Sequence, residues 1–279
     1  MAKNKVLAPF LKWVGGKRQI MPSIEAVLPE GIGTYNYIEP FVGGGAVLFH
    51  LQPKKAIIND SNAELINVYT VIKTDLEALI IDLKKHKNEA DYFYNLRSID
   101  RTADFEKLTK VERASRIIYL NKTCFNGLYR VNSAGEFNAP FGRYKNPNIT
   151  NEPTLRAVNK YLNSNEIRLI NDDYENILKG IEQNSFVYLD PPYHPISAGS
   201  NFTGYVQGGW NMDDQVRLKQ TCDALNTEGV KFLLSNSASE FIKDLYKDYH
   251  IKIIKANRII NSDGEKRGEV DEVLIRNYE

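Results

Sequence analysis

The chain has 279 residues, 42 % of them apolar and 25 % charged, and carries a formal net charge of +1. Such a length suits one large α/β domain, alone or carrying a smaller inserted one, and such a composition excludes the disordered and fibrous classes. No apolar run approaches the roughly 20 residues of a membrane helix, the start MAKNKVLAPFLKW lacks a signal-peptide pattern, and Cys124 and Cys222 are too few and too far apart for a disulfide scaffold; a cytoplasmic protein without a membrane partner is expected. Charge is unevenly spread. Residues 1–18 hold Lys3, Lys5, Lys12, Lys17 and Arg18 with no acid, and residues 107–145 hold Lys107, Lys110, Arg113, Arg116, Lys122, Arg130, Arg143 and Lys145 against Glu112 and Glu136. These stretches form either a phosphate-binding face assembled from separate segments or scattered solvated side chains.

In chain order, TYNYIEPF (34–41) predicts a strand, VGGG a turn, AVLFHL a helix and KAIIND (55–60) a second strand, a βαβ unit. Residues 62–120 read as amphipathic helices, among them LINVYTVIKTDLEALIIDLKK and KLTKVERASRIIYL. CFNGLYRVNSAGEFNAPFGRYKNPN follows, either a hairpin or a structured loop that carries function. SFVYL (185–189) is an apolar run suited to a buried strand, broken by DPPY. The Gly-rich connection 194–212 is either a lid beside that turn or surface slack. A helix is predicted over Asp213–Asn226, stopping at Gly229, and VKFLLS is the next strand. Strands alternating with helices imply a largely parallel sheet covered on both faces.

Glycines directly after a strand let the chain turn tightly and bring backbone close to a ligand, so Phe41-Val42-Gly43-Gly44-Gly45 marks a candidate nucleoside site. Asp60 ends the next strand, where an acidic residue accepts from ribose hydroxyls; it equally suits a helix cap near Asn62. Asp190-Pro191-Pro192-Tyr193 stands at the C-terminal end of a strand, where open parallel sheets place their ligands. Its prolines fix the direction of the carbonyls. A carboxylate, a fixed carbonyl and an aromatic face suit a planar base that bears an amine. Both cysteines read as small core residues, and the four histidines are isolated, so no metal is expected.

With these residues in place the chain resembles the Dam-type DNA adenine methyltransferases, D12 class and alpha group, over nearly its whole length. The carriers, in the family's order, are Phe10-Leu11-Lys12-Trp13-Val14-Gly15-Gly16-Lys17, Glu39-Pro40-Phe41-Val42-Gly43-Gly44-Gly45, Asn126-Gly127-Leu128-Tyr129-Arg130, Gly135-Glu136-Phe137-Asn138, Phe141-Gly142-Arg143-Tyr144 and Asp190-Pro191-Pro192-Tyr193. The resemblance is greatest to the GATC-methylating enzymes of streptococcal and lactococcal restriction-modification systems. It implies a Rossmann-like methyltransferase fold with a mixed, mostly parallel sheet and an inserted, mainly helical target-recognition domain. Residues 1–61 and 166–279 would form the catalytic and cofactor domain, and residues 62–165 the insert, with a hairpin near 125–145.

The resemblance also implies roles. S-adenosylmethionine would be the cofactor, with Trp13 and Lys17 at its methionine part, Phe41, Gly43 and Gly45 shaping the pocket, and Asp60 on the ribose. Asp173-Tyr174 matches the family's adenine-contacting pair, with a helix cap as the equal alternative. Asp190, Pro191, Pro192 and Tyr193 would be catalytic, Asp190 also bordering the cofactor. Double-stranded DNA would be the substrate, with Lys12 and Arg130 on guanine edges, Leu128 and Pro140 on thymine methyls, and Asn126 beside the flipped base. Phe125 would wedge into the stack, or else be core, and Arg143 and Tyr144 would hold phosphates. A cognate restriction endonuclease would act on the same site without direct contact. Competing readings are methylation of cytosine N4, an RNA base or a protein glutamine amide, and a non-catalytic DNA-binding protein of the same fold. Asp190 and the Asn126–Arg130 segment argue for adenine in DNA.

Overall fold

A computed structural model describes residues 4–13, 15–195, 210–257 and 269–279. The chain begins with α1 (Met21–Glu25), β1 (Asn36–Glu39), α2 (Ala46–Leu51) and β2 (Lys55–Asn59). A helical stretch follows: α3 (Ala63–Thr74), α4 (Leu76–Leu83), α5 (Ala90–Ser98), α6 (Lys110–Thr123) and α7 (Glu152–Ser164). The remainder is β3 (Glu166–Ile170), α8 (Tyr174–Leu178), β4 (Ser185–Leu189), α9 (Met212–Thr227), β5 (Lys231–Ser237), α10 (Glu240–Leu245), β6 (His250–Asn257) and β7 (Glu269–Arg276).

Among the described residues the strands form one seven-stranded sheet in the order β3-β2-β1-β4-β5-β7-β6. The first five are parallel, and β7 runs antiparallel to both β5 and β6. The expected mixed, mostly parallel α/β sheet is therefore present. From β1 the chain passes outward to β2 on one side, and β4 closes the other side with Ile38 beside Val187. That reversal opens a crevice at the carboxyl ends of β1 and β4, where such sheets bind ligands. Both turns singled out in the sequence lie there.

The pleat sorts side chains into two cores. Tyr37, Phe186, Tyr188, Leu233 and Leu274 join a cluster with α3, α4, α6 and α7. Their neighbours Ile38, Val187, Leu189, Phe232, Leu234, Val273 and Ile275 join a second cluster with α8, α9 and α10. All five residues of β4 are buried, as a strand covered on both faces requires.

Several predicted elements form where propensity places them. AVLFHL is α2, and α9 ends at Gly229, whose φ of +71° a side chain would resist. The segment LINVYTVIKTDLEALIIDLKK, in contrast, is two helices rather than one. Asp75, at φ −133°, accepts a hydrogen bond from the Thr74 hydroxyl on its carboxylate where the chain turns between α3 and α4. KLTKVERASRIIYL becomes helical only from Lys110, because Thr109 and Glu112 form a capping box. After α6 the chain folds back, with antiparallel bridges Val131–Phe137 and Cys124–Phe141. The connection at 194–212 lies outside the described residues between 196 and 209. No helix among the described residues is long and apolar enough to cross a membrane.

Candidate active site and DNA-facing surface

The strand β4 ends in the turn Asp190-Pro191-Pro192-Tyr193, and side chains from four other segments converge on it. The Lys17 ammonium lies 2.7 Å from Asp190 Oδ1 and donates to the Gly15 carbonyl at 2.5 Å. It also stands 4.9 Å from the centroid of the Tyr193 ring. Ser235 on β5 donates to the same Asp190 oxygen at 2.9 Å and lies 3.2 Å from the Tyr188 hydroxyl. The Tyr193 hydroxyl donates to Glu272 on β7 at 3.1 Å. Burial pushes the Asp190 carboxyl above the usual carboxylate range, and the nearby Lys17 charge and the Ser235 hydrogen bond oppose that push. Lys17, assigned from the sequence to the cofactor's methionine part, is thus brought to the catalytic turn itself.

The glycine turn after β1 faces this group. Asp60 accepts from the backbone N–H of Gly43 and of Asn62, each at 3.0 Å, so it clamps the turn and holds Asn62, the residue that caps α3. Burial raises its carboxyl to about 6 against those two hydrogen bonds. Gly43 has φ +48°, and a Cβ there would come within 2.8 Å of the Trp13 indole. Trp13 in turn stacks on Tyr129 at 4.7 Å and 21°. The missing side chain at Gly43 is what lets the indole lie directly against the turn's backbone.

Beside the turn, Phe41 is half-buried against Tyr174 at 5.2 Å and Trp210 at 5.7 Å. Trp210 Nε1 is buried without a hydrogen-bond partner among the described residues. An aromatic slot with an orphaned donor fits a flat heterocycle that carries acceptors. Asp173 caps α8 through the Glu175 N–H at 2.9 Å and pairs with Arg217 at 2.6 Å. The capping alternative weighed for it therefore describes at least one of its carboxylate oxygens.

The residues assigned to DNA gather at the other side of Trp13. Phe125 is 55 % exposed, which removes the core alternative for it. Asn126 beside it adopts φ +58°, and Lys12, Pro140, Arg143 and Tyr144 are also exposed. Leu128 is half-buried below them. The Lys12 stem lies over Gly127, where a Cβ would come within 2.4 Å of Lys12 Cδ. Arg130 donates from Nε to Asn138 Oδ1 at 2.6 Å and from Nη2 to the Asn138 carbonyl at 3.1 Å, which fixes the plane of its guanidinium. The Lys122 ammonium is held below its usual range, first by burial and then by Lys12 and Arg18. The two basic stretches therefore meet in space, although Arg113 and Arg116 leave that face to pair with Glu64 and Asp100.

Some participants escaped the sequence reading. Ser235, Glu272 and Trp210 carry no motif and only the fold reveals them, whereas Asn138 ends the Gly135–Asn138 motif but was given no role. Asn121, fully buried, accepts from Lys12 N at 2.9 Å and donates to the carbonyls of Lys12 and Gly127 at 2.7 and 3.0 Å, so it joins the N-terminal segment to the DNA-facing turn. Glu39, inside a quoted motif but given no role, is buried and accepts from the Tyr37 hydroxyl at 2.8 Å. Burial raises its carboxyl from 4.5 to about 8; the Tyr37 hydrogen bond opposes this and the Asp190 charge adds to it. The folded state then keeps a proton that the unfolded chain releases between about pH 4.5 and 8, so stability falls as pH rises through that window. The variant Glu39→Gln lacks that titration. Its melting temperature relative to the parent should climb steadily from pH 5 to pH 8, and a constant difference would contradict the assignment.

Comparison with known proteins meets the same residues. A family model described as D12 class N6 adenine-specific DNA methyltransferase matches residues 13–260. Type II methyltransferase M1.LlaDCHI of Lactococcus lactis subsp. cremoris is 45 % identical, over 100 % of this chain and 98 % of its own. Type II methyltransferase M.MjaIII of Methanocaldococcus jannaschii is 43 % identical, over 97 % and 99 % respectively. A DNA adenine methylase of Vibrio cholerae is 33 % identical, over 95 % and 94 %.

Proposed function

Because the chain belongs to the D12 class N6 adenine-specific DNA methyltransferases, we propose that it transfers the methyl group of S-adenosylmethionine to adenine N6 in double-stranded DNA, within GATC. One observation carries this reading. The acidic-aromatic turn after β4 and the glycine turn after β1 share the sheet's switch point, with Asp190 held by Lys17 and Ser235. We assign residues 1–61 and 166–279 to cofactor binding and catalysis, and residues 62–165 to target recognition.

The residues present suit the cofactor. Asp60 would accept from the ribose hydroxyls. Phe41, with Asp173-Tyr174 and the unsatisfied Trp210 Nε1, would hold the adenine ring. Gly43, Gly45 and Trp13 would shape the methionine side, with Lys17 at the carboxylate. Bound there, the cofactor supplies an electrophilic methyl group on a sulfonium, which departs as a neutral thioether.

The protein's own task is alignment. The adenine N6 lone pair is delocalised into the ring, so the amine is a poor nucleophile. Accepting its hydrogens at the Asp190 carboxylate and the Pro191 carbonyl favours a pyramidal nitrogen with its lone pair free. Tyr193 offers a face for the base, and Pro192 keeps the turn rigid. The base must leave the duplex, at a cost of a few kcal/mol that stacking and these hydrogen bonds offset. Transfer is direct. Cys124 and Cys222 are buried, with thiols pushed up to about 12, and neither offers a thiolate at neutral pH.

Lys12 and Arg130 would read guanine edges, Leu128 and Pro140 thymine methyls, and Asn126 the vacated position beside the Phe125 wedge. Arg143 and Tyr144 would hold phosphates. Incubation with methyl-labelled cofactor and a GATC duplex, followed by digestion to nucleosides, should place the label in N6-methyl-2′-deoxyadenosine alone. Label in cytosine would reject the reading in favour of cytosine N4, and none in DNA would leave the amide, RNA or non-catalytic alternatives. Digestion of plasmid from expressing cells with methylation-sensitive nucleases tests GATC as the site. Arg130→Ala should cost about 1–3 kcal/mol at one base pair and relax discrimination there. Uniform weakening across all duplexes would make Arg130 a phosphate contact instead.

A further inference from the structure

Beneath the catalytic turn, two primary amides lie head to tail in the core. Gln215 on α9 is 1 % exposed and Asn236 on β5 is fully buried. Gln215 Nε2 donates to the Pro192 carbonyl at 2.9 Å, while its Oε1 accepts from Asn236 Nδ2 at 3.0 Å. Asn236 Oδ1 in turn accepts from the His194 N–H at 3.0 Å and from the Ser237 N–H at 2.8 Å. The direction of this chain is dictated by its ends. A carbonyl can only accept and a backbone N–H can only donate, so flipping either amide would oppose like atoms at both contacts. The bond between the two amides is buried and the bonds that reach Pro192 and His194 are part-buried, a setting where a lost partner is costly.

We infer that Gln215 and Asn236 act together as positioning residues that hold the turn Asp190–His194 in register for methyl transfer. The two anchored groups, the Pro192 carbonyl and the His194 N–H, bracket Tyr193 from both sides. Consecutive carbonyls along a proline-fixed turn point in different directions, so binding the Pro192 carbonyl into the core also settles where the preceding one points. Among the described residues none donates to the Pro191 carbonyl, the acceptor assigned to the substrate amine. α9 and β5 thereby transmit the rigidity of the second core to a turn that has no regular structure of its own. The inference rests on the reading of Asp190 and Pro191 as the acceptors for the amine.

The test is single-turnover methyl transfer with saturating cofactor and duplex, set beside separate dissociation constants for each. Gln215→Met removes both amide bonds at nearly equal volume. Asn236→Asp keeps the acceptor for His194 but loses the donor to Gln215, and so turns the Gln215 amide and sets oxygen against the Pro192 carbonyl. Each variant should lose at least fivefold in the transfer step, with both dissociation constants within twofold of the parent. The double variant should lose no more than the worse single one, as expected of residues that act as one unit. A smaller loss, or a loss tracked by weaker cofactor or DNA binding, would overturn the inference. A measurement on the unaltered protein stands beside this should a variant fail to fold. The His194 amide should exchange its hydrogen as slowly as the core of β5, and fast exchange would equally overturn the inference. Full activity of Asp190→Ala would instead defeat the reading beneath it, whereas a dead Asp190→Ala beside a near-normal Gln215→Met would defeat the positioning role alone.

Discussion

Asp190→Ala should reduce methyl transfer by at least about 10³-fold while DNA binding survives, the scale at which a group acting on the reacting atoms is lost. The carboxylate faces the crevice and is joined by Lys17 and Ser235. The DNA-facing residues lie on other segments, so affinity for the duplex has no reason to follow. Stability does have a reason to change. Lys17 is 4 % exposed and would keep the Gly15 carbonyl and the Tyr193 ring but lose its carboxylate. Breaking a fully buried pair costs about 3–5 kcal/mol. Asp190 is 21 % exposed on its side chain, so only part of that applies. Asp190→Asn, which keeps an oxygen toward Lys17 and Ser235, should melt closer to the parent and still lose most of its activity. Radiolabel transfer, duplex binding by fluorescence anisotropy and thermal melting separate the three quantities. Activity within tenfold of the parent in Asp190→Ala would remove Asp190 from the chemistry.

Gly45→Ala should be the most damaging single methyl group in the cofactor half. Gly45 has φ +72°, and a Cβ there would stand 2.6 Å from the Tyr69 hydroxyl and 2.8 Å from the Phe49 ring. Neither ring can yield, because Tyr69 is fully buried and Phe49 is 2 % exposed. The left-handed backbone costs an L-residue about 1–2 kcal/mol, and overpacking a core about 1–3 kcal/mol. Together they predict a loss of roughly 2–5 kcal/mol and a melting point lower by about 3–9 °C. Function should suffer beyond stability. The Tyr69 hydroxyl donates to the Gly43 carbonyl at 3.0 Å, so displacing Tyr69 loosens the turn that Asp60 clamps from the other side. Cofactor affinity measured by calorimetry should fall at temperatures where the variant is still folded. Unchanged melting and unchanged affinity would show that the turn relaxes around the added carbon.

Local signals carried far in this chain. SFVYL followed by two prolines could only be a short buried strand with a hard stop, and glycines after TYNYIEPF could only be a turn, because backbone sterics act on immediate neighbours. Thr109 with Glu112, by contrast, was a capping box readable in the residues yet absorbed into a longer apolar pattern, which began the helix too early. Asp75 was likewise overridden by the apolar period around it, although its carboxylate competes with the helix for local hydrogen bonds.

The amino-acid order by itself determined the alternation of strands and helices, the two turns and the chemistry each could offer, since these depend on residue type and spacing along a few bonds. Only the tertiary structure decided that Lys17 meets Asp190, that Glu272 holds Tyr193, that Gln215 and Asn236 underpin the catalytic turn, and that the basic segments converge at Lys122. Those meetings follow from β4 inserting beside β1 and from β7 doubling back against β5. Strand order is a property of the whole core's packing, which no local window of the chain contains.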